Sequence, residues 1–346
     1  MDRRAVPAVA IVLVVVLAGC VGGVPTGVDG SNGDESPEED GTEVDGSVEI
    51  HAIDVGQADA TLLIGPEETM LIDSGNWYDD GEYVIEYLDE QGVERIDYLV
   101  STHAHADHIG GHAAIIETYE TEKEGIGQVW DPGVAHTSGV YEEYLDAIED
   151  HDVDLIEAQS GDEIPFADGA TVLNPPAERE SDRLHDNSLA LRVSVGERSF
   201  LATGDAESRA EERMVAEYGD ELDSDLYHAG HHGSATSSTP AFLDRVDPEI
   251  AVISSARESQ YDHPSEEVLA SFAERGIETY WTAVHGTIVF ELDGESIAVT
   301  PETDATTDPA QLKEELSDET AETLQPPEAA ASAIATATAV RAEAIA

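Results

Sequence analysis

The sequence contains a single cysteine, Cys20, so it can form neither an intramolecular disulfide bond nor a zinc site built from several thiolates. Lysine is nearly absent, with Lys123 and Lys313 as the only two, and no basic stripe of the kind that binds nucleic acids by charge is visible. No glycine-rich phosphate loop precedes a predicted helix. The sequence therefore excludes a disulfide-stabilised fold and gives no sign of a nucleotide-binding P-loop.

Acidic residues dominate the charge of the chain. The 76 Asp and Glu residues stand against 15 Lys and Arg, which gives a formal net charge of −61. Such an excess is typical of disordered chains, but 40% of the residues are apolar and they form periodic runs, so a core can form. This composition indicates a protein that works in concentrated salt, where the Debye length falls to about 3 Å and self-repulsion is screened. An acidic surface protein of a mesophile is the alternative.

The N-terminus has the pattern of a lipoprotein export signal. A short basic start is followed by an apolar stretch over residues 6–17, and Leu17-Ala18-Gly19-Cys20 matches a lipobox. We therefore expect a signal peptide over residues 1–20 and a lipid on Cys20 that anchors the protein to the outer face of the cell membrane. A retained membrane anchor is the alternative, although the apolar stretch is short for a spanning helix.

Three further regions follow the signal peptide. Residues 21–46 are rich in Gly, Ser, Asp, Glu and Pro, which predicts a flexible acidic linker. Residues 47–300 begin with strand patterns and later mix strands with helices, which favours an α/β (α+β) fold of two facing sheets with helices outside. Residues 301–346 are acidic and then alanine-rich, and we expect a tail without chemistry of its own.

The segment HAHADH, residues 103–108, follows a predicted strand and leads into a glycine pair. Three imidazoles and a carboxylate within six residues are ligands that suit Zn²⁺, Mn²⁺ or Fe²⁺. In an extended loop His103 and His105 point the same way, while Asp107 and His108 can turn toward a neighbouring position. One short loop can therefore supply ligands to two adjacent divalent ions.

Other polar residues stand where predicted strands end, which is where such scaffolds display catalytic groups. Asp73 is a candidate to fix the tautomer of a ligand histidine, with an ordinary turn residue as the alternative. Asp205 follows a strand and a glycine, and it is a candidate bridge between two metals. His231 and His232 lie between glycines, and at least one is expected to be a ligand. Further residues expected to border the site are His185, Asn187 and His263.

These motifs run in order from residue 54 to residue 288 and resemble the metallo-β-lactamase fold superfamily. Within it they look like the nuclease-like extracytoplasmic domain of the ComEC DNA-uptake channels and their stand-alone relatives. The HAHADH segment carries the superfamily resemblance, whereas the DVGQAD segment at 54–59 and the GHHGS segment at 230–234 narrow it to the ComEC-like branch. The resemblance implies a four-layer αββα sandwich with a two-metal site between the sheet edges.

The resemblance also implies a ligand set: His103, His105, Asp107, His108, Asp205 and His231. His103 and His105 would hold one metal. Asp107, His108 and His231 would hold the other, and Asp205 would bridge the two. His232 is the alternative ligand, or a group that holds the substrate. Asp73 and Asn187 would act behind the ligands. A third histidine on the first metal is not evident, so that metal is expected to be weakly held or open.

We predict an exported hydrolase with two divalent ions, Zn²⁺ or Mn²⁺. Two cations about 3.5–4 Å apart would lower the pKa of a shared water from near 16 toward about 7, and the hydroxide would attack a phosphorus or carbonyl centre. Asp107 would orient this nucleophile. His232 and His263 would stabilise charge that develops on the substrate oxygens.

The resemblance points to phosphodiesters such as DNA, hence a nuclease or phosphodiesterase. The acidic surface repels a polyanion electrostatically. The phosphate would therefore have to be held by the metals, by backbone amides and by arginines such as Arg192, Arg198 and Arg257. A hydrolase of small esters, lactones or β-lactams is therefore the first alternative. A non-catalytic surface lipoprotein that keeps the metal site for binding is the second.

Overall fold

A computed structural model describes residues 46–314. The expected signal peptide with Cys20, nearly all of the expected linker and the alanine-rich run lie outside the described residues. The strands are β1 Val48–Ala52, β2 Thr61–Ile64, β3 Thr69–Ile72, β4 Ile96–Val100, β5 Ile126–Asp131, β6 Asp154–Glu157, β7 Glu163–Ile164, β8 Ala170–Asn174, β9 Ala190–Val195, β10 Arg198–Ala202, β11 Leu226–His228, β12 Ile250–Ile253, β13 Glu278–Trp281, β14 Ile288–Leu292 and β15 Ile297–Pro301. The helices are α1 Glu82–Glu90, α2 His112–Glu122, α3 Gly139–His151, α4 Ser208–Tyr218, α5 Pro240–Val246, α6 Glu266–Arg275 and α7 Thr282–His285.

The strands form two mixed sheets. One sheet has the order β15-β14-β1-β2-β3-β4-β5-β6, and the other has the order β13-β12-β11-β10-β9-β8-β7. Each sheet has an antiparallel part and a parallel part, the latter formed by β3 to β6 in the first sheet and by β10 to β13 in the second. A parallel strand is usually buried on both faces, so helices are expected to cover the outer side of each sheet.

Three apolar clusters show how the layers pack. The central cluster joins residues of both sheets, such as Ile50 and Phe290 from one and Val172 and Phe200 from the other. A second cluster packs α4, α5 and α6 against the outer face of the second sheet. A third packs α1, α2 and α3 against the outer face of the first. The αββα sandwich predicted from the sequence is confirmed.

The structure adds elements that the sequence patterns did not reveal. Strands β6 and β7 were not predicted. Helix α2, which the glycine pair after HAHADH indicated without bounds, has a buried stripe that begins with a polar residue, His112, and continues through Ile115, Ile116 and Tyr119. The packed region also continues past residue 300, since Leu312 is fully buried in the outer cluster of the second sheet. Within residues 46–314, no helix combines the length and the apolar character needed to cross a membrane.

The topology brings the candidate residues to one edge of the sandwich. The carboxyl ends of β3 and β4 lead to Asp73 and to the HAHADH segment, and those of β10 and β11 lead to Asp205 and to the GHHGS segment. The carboxyl ends of parallel strands meet at the same edge of a sheet, where α/β proteins place their ligand sites. Residues far apart in sequence are thus collected where the two sheets face each other.

Candidate metal centre

The HAHADH segment forms a tight turn held by its neighbours. The amides of His108 and Ile109 both donate to the carbonyl of His105, at 3.1 Å each. The carbonyl of Asp107 accepts from the amide of Asp59 at 3.1 Å, and that of His108 accepts from the amide of Ser74 at 2.7 Å. The turn gives the first two histidines one direction and His108 another, as the alternation in the sequence suggested.

A first group of ligand atoms lies on one side of Asp205. Nε2 of His103 is 2.8 Å from Nδ1 of His105, and Nε2 of His185 is 3.4 Å from that same Nδ1 atom. Oδ2 of Asp205 lies 3.5 Å from Nε2 of His103 and 3.6 Å from Nε2 of His185. These four side chains place one ligand atom each within 4.8 Å of one another, which is close enough to share one cation.

His185 corrects the expectation that a third histidine is missing from the first position. The sequence placed His185 only at the border of the site and Asn187 behind the ligands. The carboxamide of Asn187 donates to the carbonyls of Ser181 and Arg183, at 2.8 Å each, so it braces the loop that precedes His185. The sequence shows a histidine at position 185, just before a predicted strand, but it does not indicate the direction of that side chain.

A second group lies on the other side of Asp205. Its Oδ1 atom is 3.2 Å from Nε2 of His108 and 3.8 Å from Nε2 of His232. Nε2 of His232 is also 3.6 Å from Oδ2 of Asp107. Asp59 of the DVGQAD segment belongs to this group as well, although the sequence indicated no ligand role for it. Its Oδ1 atom lies 3.7 Å from Nδ1 of His232.

The structure places His232, not His231, beside His108. Both residues have left-handed backbone conformations, with φ of 54° for His231 and 57° for His232, and their rings are 6.1 Å apart. The Nε2 atom of His231 turns instead toward the Oδ2 atom of Asp205, at 3.5 Å. This geometry favours His232, the alternative that the sequence left open, for the position beside His108.

Several ligand atoms are buried without a hydrogen-bond partner. Nε2 of His108, Nε2 of His232 and Oδ1 of both Asp59 and Asp205 are all in this state. An unsatisfied buried polar atom costs about 1–3 kcal/mol. A cation that accepts lone pairs from several of them removes that cost, and nitrogen and carboxylate oxygen donors suit Zn²⁺ or Mn²⁺. The residues present therefore fit a divalent metal ion.

Hydrogen bonds behind the ligands fix which ring nitrogen faces the centre. Nδ1 of His108 donates to Oδ2 of Asp73 at 2.7 Å, and Nδ1 of His232 donates to the carbonyl of Ser254 at 3.0 Å. Asp73 is itself held by the amide and the hydroxyl of Thr102, at 2.8 and 2.6 Å. With the proton on Nδ1, the lone pair of each Nε2 atom faces Asp205, as a metal ligand requires.

The electrostatics keep the carboxylates ionised. Burial alone would raise the pKa of Asp205, but His108 and His103 beside it hold that pKa well below its ordinary value. Burial likewise opposes ionisation of Asp59, yet His232 and His228 lower its pKa to about 2. Two buried carboxylates are therefore negatively charged at neutral pH and attract cations.

His263 lies at the margin of the centre. Its ring is 5.6 Å from that of His231 and 6.3 Å from that of His232, nearly parallel to the latter. Burial, with help from these two histidines, lowers the pKa of His263 to about 4. The ring is therefore neutral at pH 7.

Gly204 permits the close approach of the two sheets at the centre. Its φ is +49°, and a Cβ atom there would lie 2.5 Å from the hydroxyl oxygen of Ser188 and 2.6 Å from Cβ of Thr102. Any larger residue would push Thr102 away from Asp73 or move Asp205. The glycine of the Thr203-Gly204-Asp205 motif is thus required by packing as well as by backbone conformation.

A buried network of hydrogen bonds connects the GHHGS segment to helix α4. The amide of Gly230 donates to the hydroxyl of Tyr227 at 3.0 Å, which also contacts the hydroxyl of Ser238 at 3.0 Å. The amides of Ser238 and Thr239 donate to the carboxylate of Glu211, at 2.5 and 3.0 Å. Glu211 of α4 thereby holds the backbone that follows the segment.

Replacing Glu211 by Gln should change how stability depends on pH. Burial raises the pKa of Glu211 to about 7 despite the hydrogen bonds from Thr239 and Ser238. Because the folded state binds this proton more tightly than the unfolded state, Glu211 makes the native protein less stable as pH rises from about 4.5 to 7. Glu211→Gln should gain roughly 2–3 kcal/mol relative to the native protein between pH 5 and pH 8, measured by urea unfolding. If the difference in unfolding free energy between Glu211→Gln and the native protein does not change with pH, Glu211 does not have a raised pKa.

Two arginines that the sequence analysis assigned to substrate binding lie elsewhere. Nε of Arg192 donates to the carbonyl of Asp223 at 2.9 Å, and Nη1 of Arg198 lies 2.7 Å from Oδ1 of Asp225. Both partners precede β11, at the end of the strand opposite to the GHHGS segment. The expectation for these two arginines is wrong, because a backbone carbonyl and a carboxylate at the far edge of the sheet already bind them.

The comparison with known proteins assigns the family. The chain belongs to the metallo-beta-lactamase superfamily, whose family model matches residues 53–257. ComE operon protein 3 of Bacillus subtilis (strain 168) is 29% identical over 262 residues, which cover 70% of this chain and 33% of that protein. Competence protein ComA of Neisseria gonorrhoeae is 32% identical over 239 residues, which cover 69% of this chain and 31% of that protein. The predicted resemblance to the ComEC-like branch is confirmed.

The match to these relatives is partial, since the chain covers about a third of their length. Among solved structures, CmlA, a diiron beta-hydroxylase from Streptomyces venezuelae, aligns with a TM-score of 0.48 and 15% identity. That alignment covers 72% of this chain and 54% of CmlA.

Proposed function

We propose that this chain is a hydrolase that uses two divalent cations, Zn²⁺ or Mn²⁺, to cleave phosphodiesters as a nuclease or phosphodiesterase. The observation that carries the proposal is the position of Asp205. Its Oδ2 atom faces His103 and its Oδ1 atom faces His108, at 3.5 and 3.2 Å, so one carboxylate serves two groups of imidazoles. The competence proteins among the relatives favour DNA as the substrate.

The ligands divide into two sets that meet at Asp205. His103, His105 and His185 would hold one cation, and His108 and His232 would hold the other, with the carboxylates of Asp59 and Asp107 close to the second set. Cations bound there would acidify water and neutralise charge on substrate oxygens.

Two residues at the open side of the site would act on substrate and water directly. The side chain of Asp107 is about one-third exposed, unlike that of Asp205, so it can accept a hydrogen bond from a water molecule and orient it. Burial opposes ionisation of Asp107, but its contacts with His232 and His108 lower its pKa, so it accepts and does not donate at neutral pH. His263 would contact the substrate on the far side of His232.

The location outside the cell membrane is also a proposal. It depends on the lipobox that ends at Cys20 and on the acidic composition, both of which are properties of the sequence. The same composition favours activity in concentrated salt.

A second candidate, hydrolysis of small esters, lactones or β-lactams, has one observation in its favour. Arg192 binds a backbone carbonyl and Arg198 binds a carboxylate, both away from the centre, so neither arginine is available to bind a polyanion there. A compact substrate that is held by the centre itself does not need them.

The test is hydrolysis by purified protein in molar KCl with Mn²⁺ or Zn²⁺. We expect cleavage of bis-p-nitrophenyl phosphate and of single-stranded DNA, and loss of both activities in His105→Ala. His151→Ala, at the carboxyl end of α3 where the side chain is partly exposed, is the matched control and should remain active. Cleavage of lactones or nitrocefin without phosphodiester cleavage would establish the second candidate. Binding of metal without cleavage of either class would indicate a non-catalytic protein.

A further inference from the structure

Glu207 contacts two histidines at the centre, although it lies in none of the sequence motifs. Its Oε1 atom is 3.2 Å from Nδ1 of His185 and 3.5 Å from Nδ1 of His231. The hydroxyl of Thr236 donates to the same oxygen at 3.1 Å. Glu207 precedes α4 at the position where a side chain often caps a helix, but it makes no capping hydrogen bond. Its carboxylate is therefore directed at the histidines and not at the helix.

The opposite nitrogens of the same two rings face the bridging carboxylate. Nε2 of His185 is 3.6 Å from Oδ2 of Asp205, and Nε2 of His231 is 3.5 Å from it. The two rings are 4.6 Å apart and steeply inclined, at 63°. Each histidine thus lies between Glu207 on its outer side and Asp205 on its inner side.

A carboxylate can only accept from an imidazole, so the proximity of Glu207 to these two atoms favours the ring protons on Nδ1. The hydroxyl of Thr236 supports this assignment for His231, because it donates to Glu207 and can then accept from Nδ1 of His231 at 3.3 Å. Protonation at Nδ1 leaves both Nε2 lone pairs directed at Oδ2 of Asp205. A single acidic residue then orients two histidines whose Nε2 atoms both face the bridging carboxylate.

We propose that Glu207 is a positioning residue that fixes the tautomer of His185 and His231 together and so sets the affinity for the cation on the Oδ2 side of Asp205. The inference depends on the proposed metal centre, but not on which substrate it cleaves. The other position has separate supports, since His108 is held by Asp73 and His232 by the carbonyl of Ser254. Loss of Glu207 should therefore weaken one position and spare the other.

The test compares Glu207→Gln with the native protein by calorimetric titration of the metal-free protein with Mn²⁺ and Zn²⁺. A glutamine amide can present a donor to Nδ1 and favour the wrong tautomer, so we expect affinity at one of the two positions to fall about 10–100-fold. The matched control is Glu212→Gln, the same substitution at an exposed residue of α4. It should leave both affinities unchanged. Thr236→Val should weaken the same position less than Glu207→Gln does.

Nitrogen-15 NMR of histidine-labelled, metal-free protein supplies a readout that a general loss of structure would not produce. We expect His185 and His231 to be protonated at Nδ1 in the native protein and to shift toward Nε2 protonation in Glu207→Gln, with His108 unchanged. Two unchanged affinities would overturn the proposal. A third bound cation that is lost in Glu207→Gln would also overturn it, since Glu207 would then be a ligand. Failure to cleave phosphodiesters, with the affinity difference intact, would reject the proposed function alone.

Discussion

Asp205→Asn should abolish binding of both cations and lower hydrolysis by at least about 1,000-fold, which corresponds to about 4 kcal/mol of transition-state stabilisation. The two oxygens of Asp205 face His103 and His108 on opposite sides, so this one substitution removes a ligand from each group. Asparagine has nearly the same shape but lacks the charge, and its amide nitrogen cannot bind a cation. The variant should therefore fold and lose its metals.

This result is checked by elemental analysis and by initial rates with bis-p-nitrophenyl phosphate in molar KCl. Asp225→Asn is the control, because Asp225 binds Arg198 and the backbone of Ser199 at the opposite end of β10. It should keep both metals and most of the activity. A variant at Asp205 that retains two cations would show that this carboxylate does not bridge them.

Asp73→Asn should have the second largest effect, although Asp73 touches no bound cation in the proposed arrangement. Its carboxylate accepts from Nδ1 of His108 at 2.7 Å and from the amide and hydroxyl of Thr102. Asparagine can present its amide group to His108 and favour the tautomer with the proton on Nε2, which faces Asp205. We expect the cation beside His108 to bind about 10–100-fold more weakly.

The same substitution should also destabilise the metal-free protein, by roughly 3–5 kcal/mol, because it removes one member of a buried ion pair. Burial would lower the pKa of His108, but Asp205 and Asp73 raise it well above its ordinary value. The stability from His108 is therefore fully present below the pKa of the unfolded state, near 6.5, and is lost as pH rises through the folded-state pKa. Urea unfolding of native protein and variant should differ most on the acidic side of that window.

Asp131→Asn is the control for Asp73. Asp131 is likewise buried, at the carboxyl end of β5, but its carboxylate contacts Tyr144 and the amide of Gly133. This variant should leave the affinity for both cations unchanged. Equal affinity losses in the two variants would mean that the effect of Asp73 reflects general disruption and not the orientation of His108.

The sequence predicted the fold and the position of the centre because both depend on local patterns. The strands that lead to Asp73 and Asp205 have regular apolar runs, and HAHADH supplies four candidate ligands in one turn. Strand ends converge by topology alone, so the assembly of these residues at one edge followed from the strand assignments.

The remaining parts of the site depend on backbone angles and on contacts between distant residues. His185 lies 80 positions from His105 in a short irregular turn, so no periodicity indicates where its ring points. The choice between His231 and His232 depends on two consecutive left-handed residues, which a pair of flanking glycines permits but does not order. Glu207 is part of no sequence motif, and only the structure shows that its carboxylate lies beside two imidazoles.

The scarce basic residues are used within the fold. Arg209 contacts Asp186, and Arg213 reaches the side chain of Asn174 and the carbonyl of Asp186, so two arginines of α4 hold the loop that presents His185. Arg192 and Arg198 serve similar purposes at the far edge. An anionic substrate would then have to be bound chiefly by cations and by backbone amides.

The most direct test of the account is the number of divalent ions bound per chain after equilibration in molar KCl with Mn²⁺ or Zn²⁺, measured together for native protein, His103→Ala and His232→Ala. The account predicts two ions in the native protein and one in each variant, because the two histidines belong to different sides of Asp205. A native protein without stoichiometric metal, or a single ion that survives both substitutions, would contradict it.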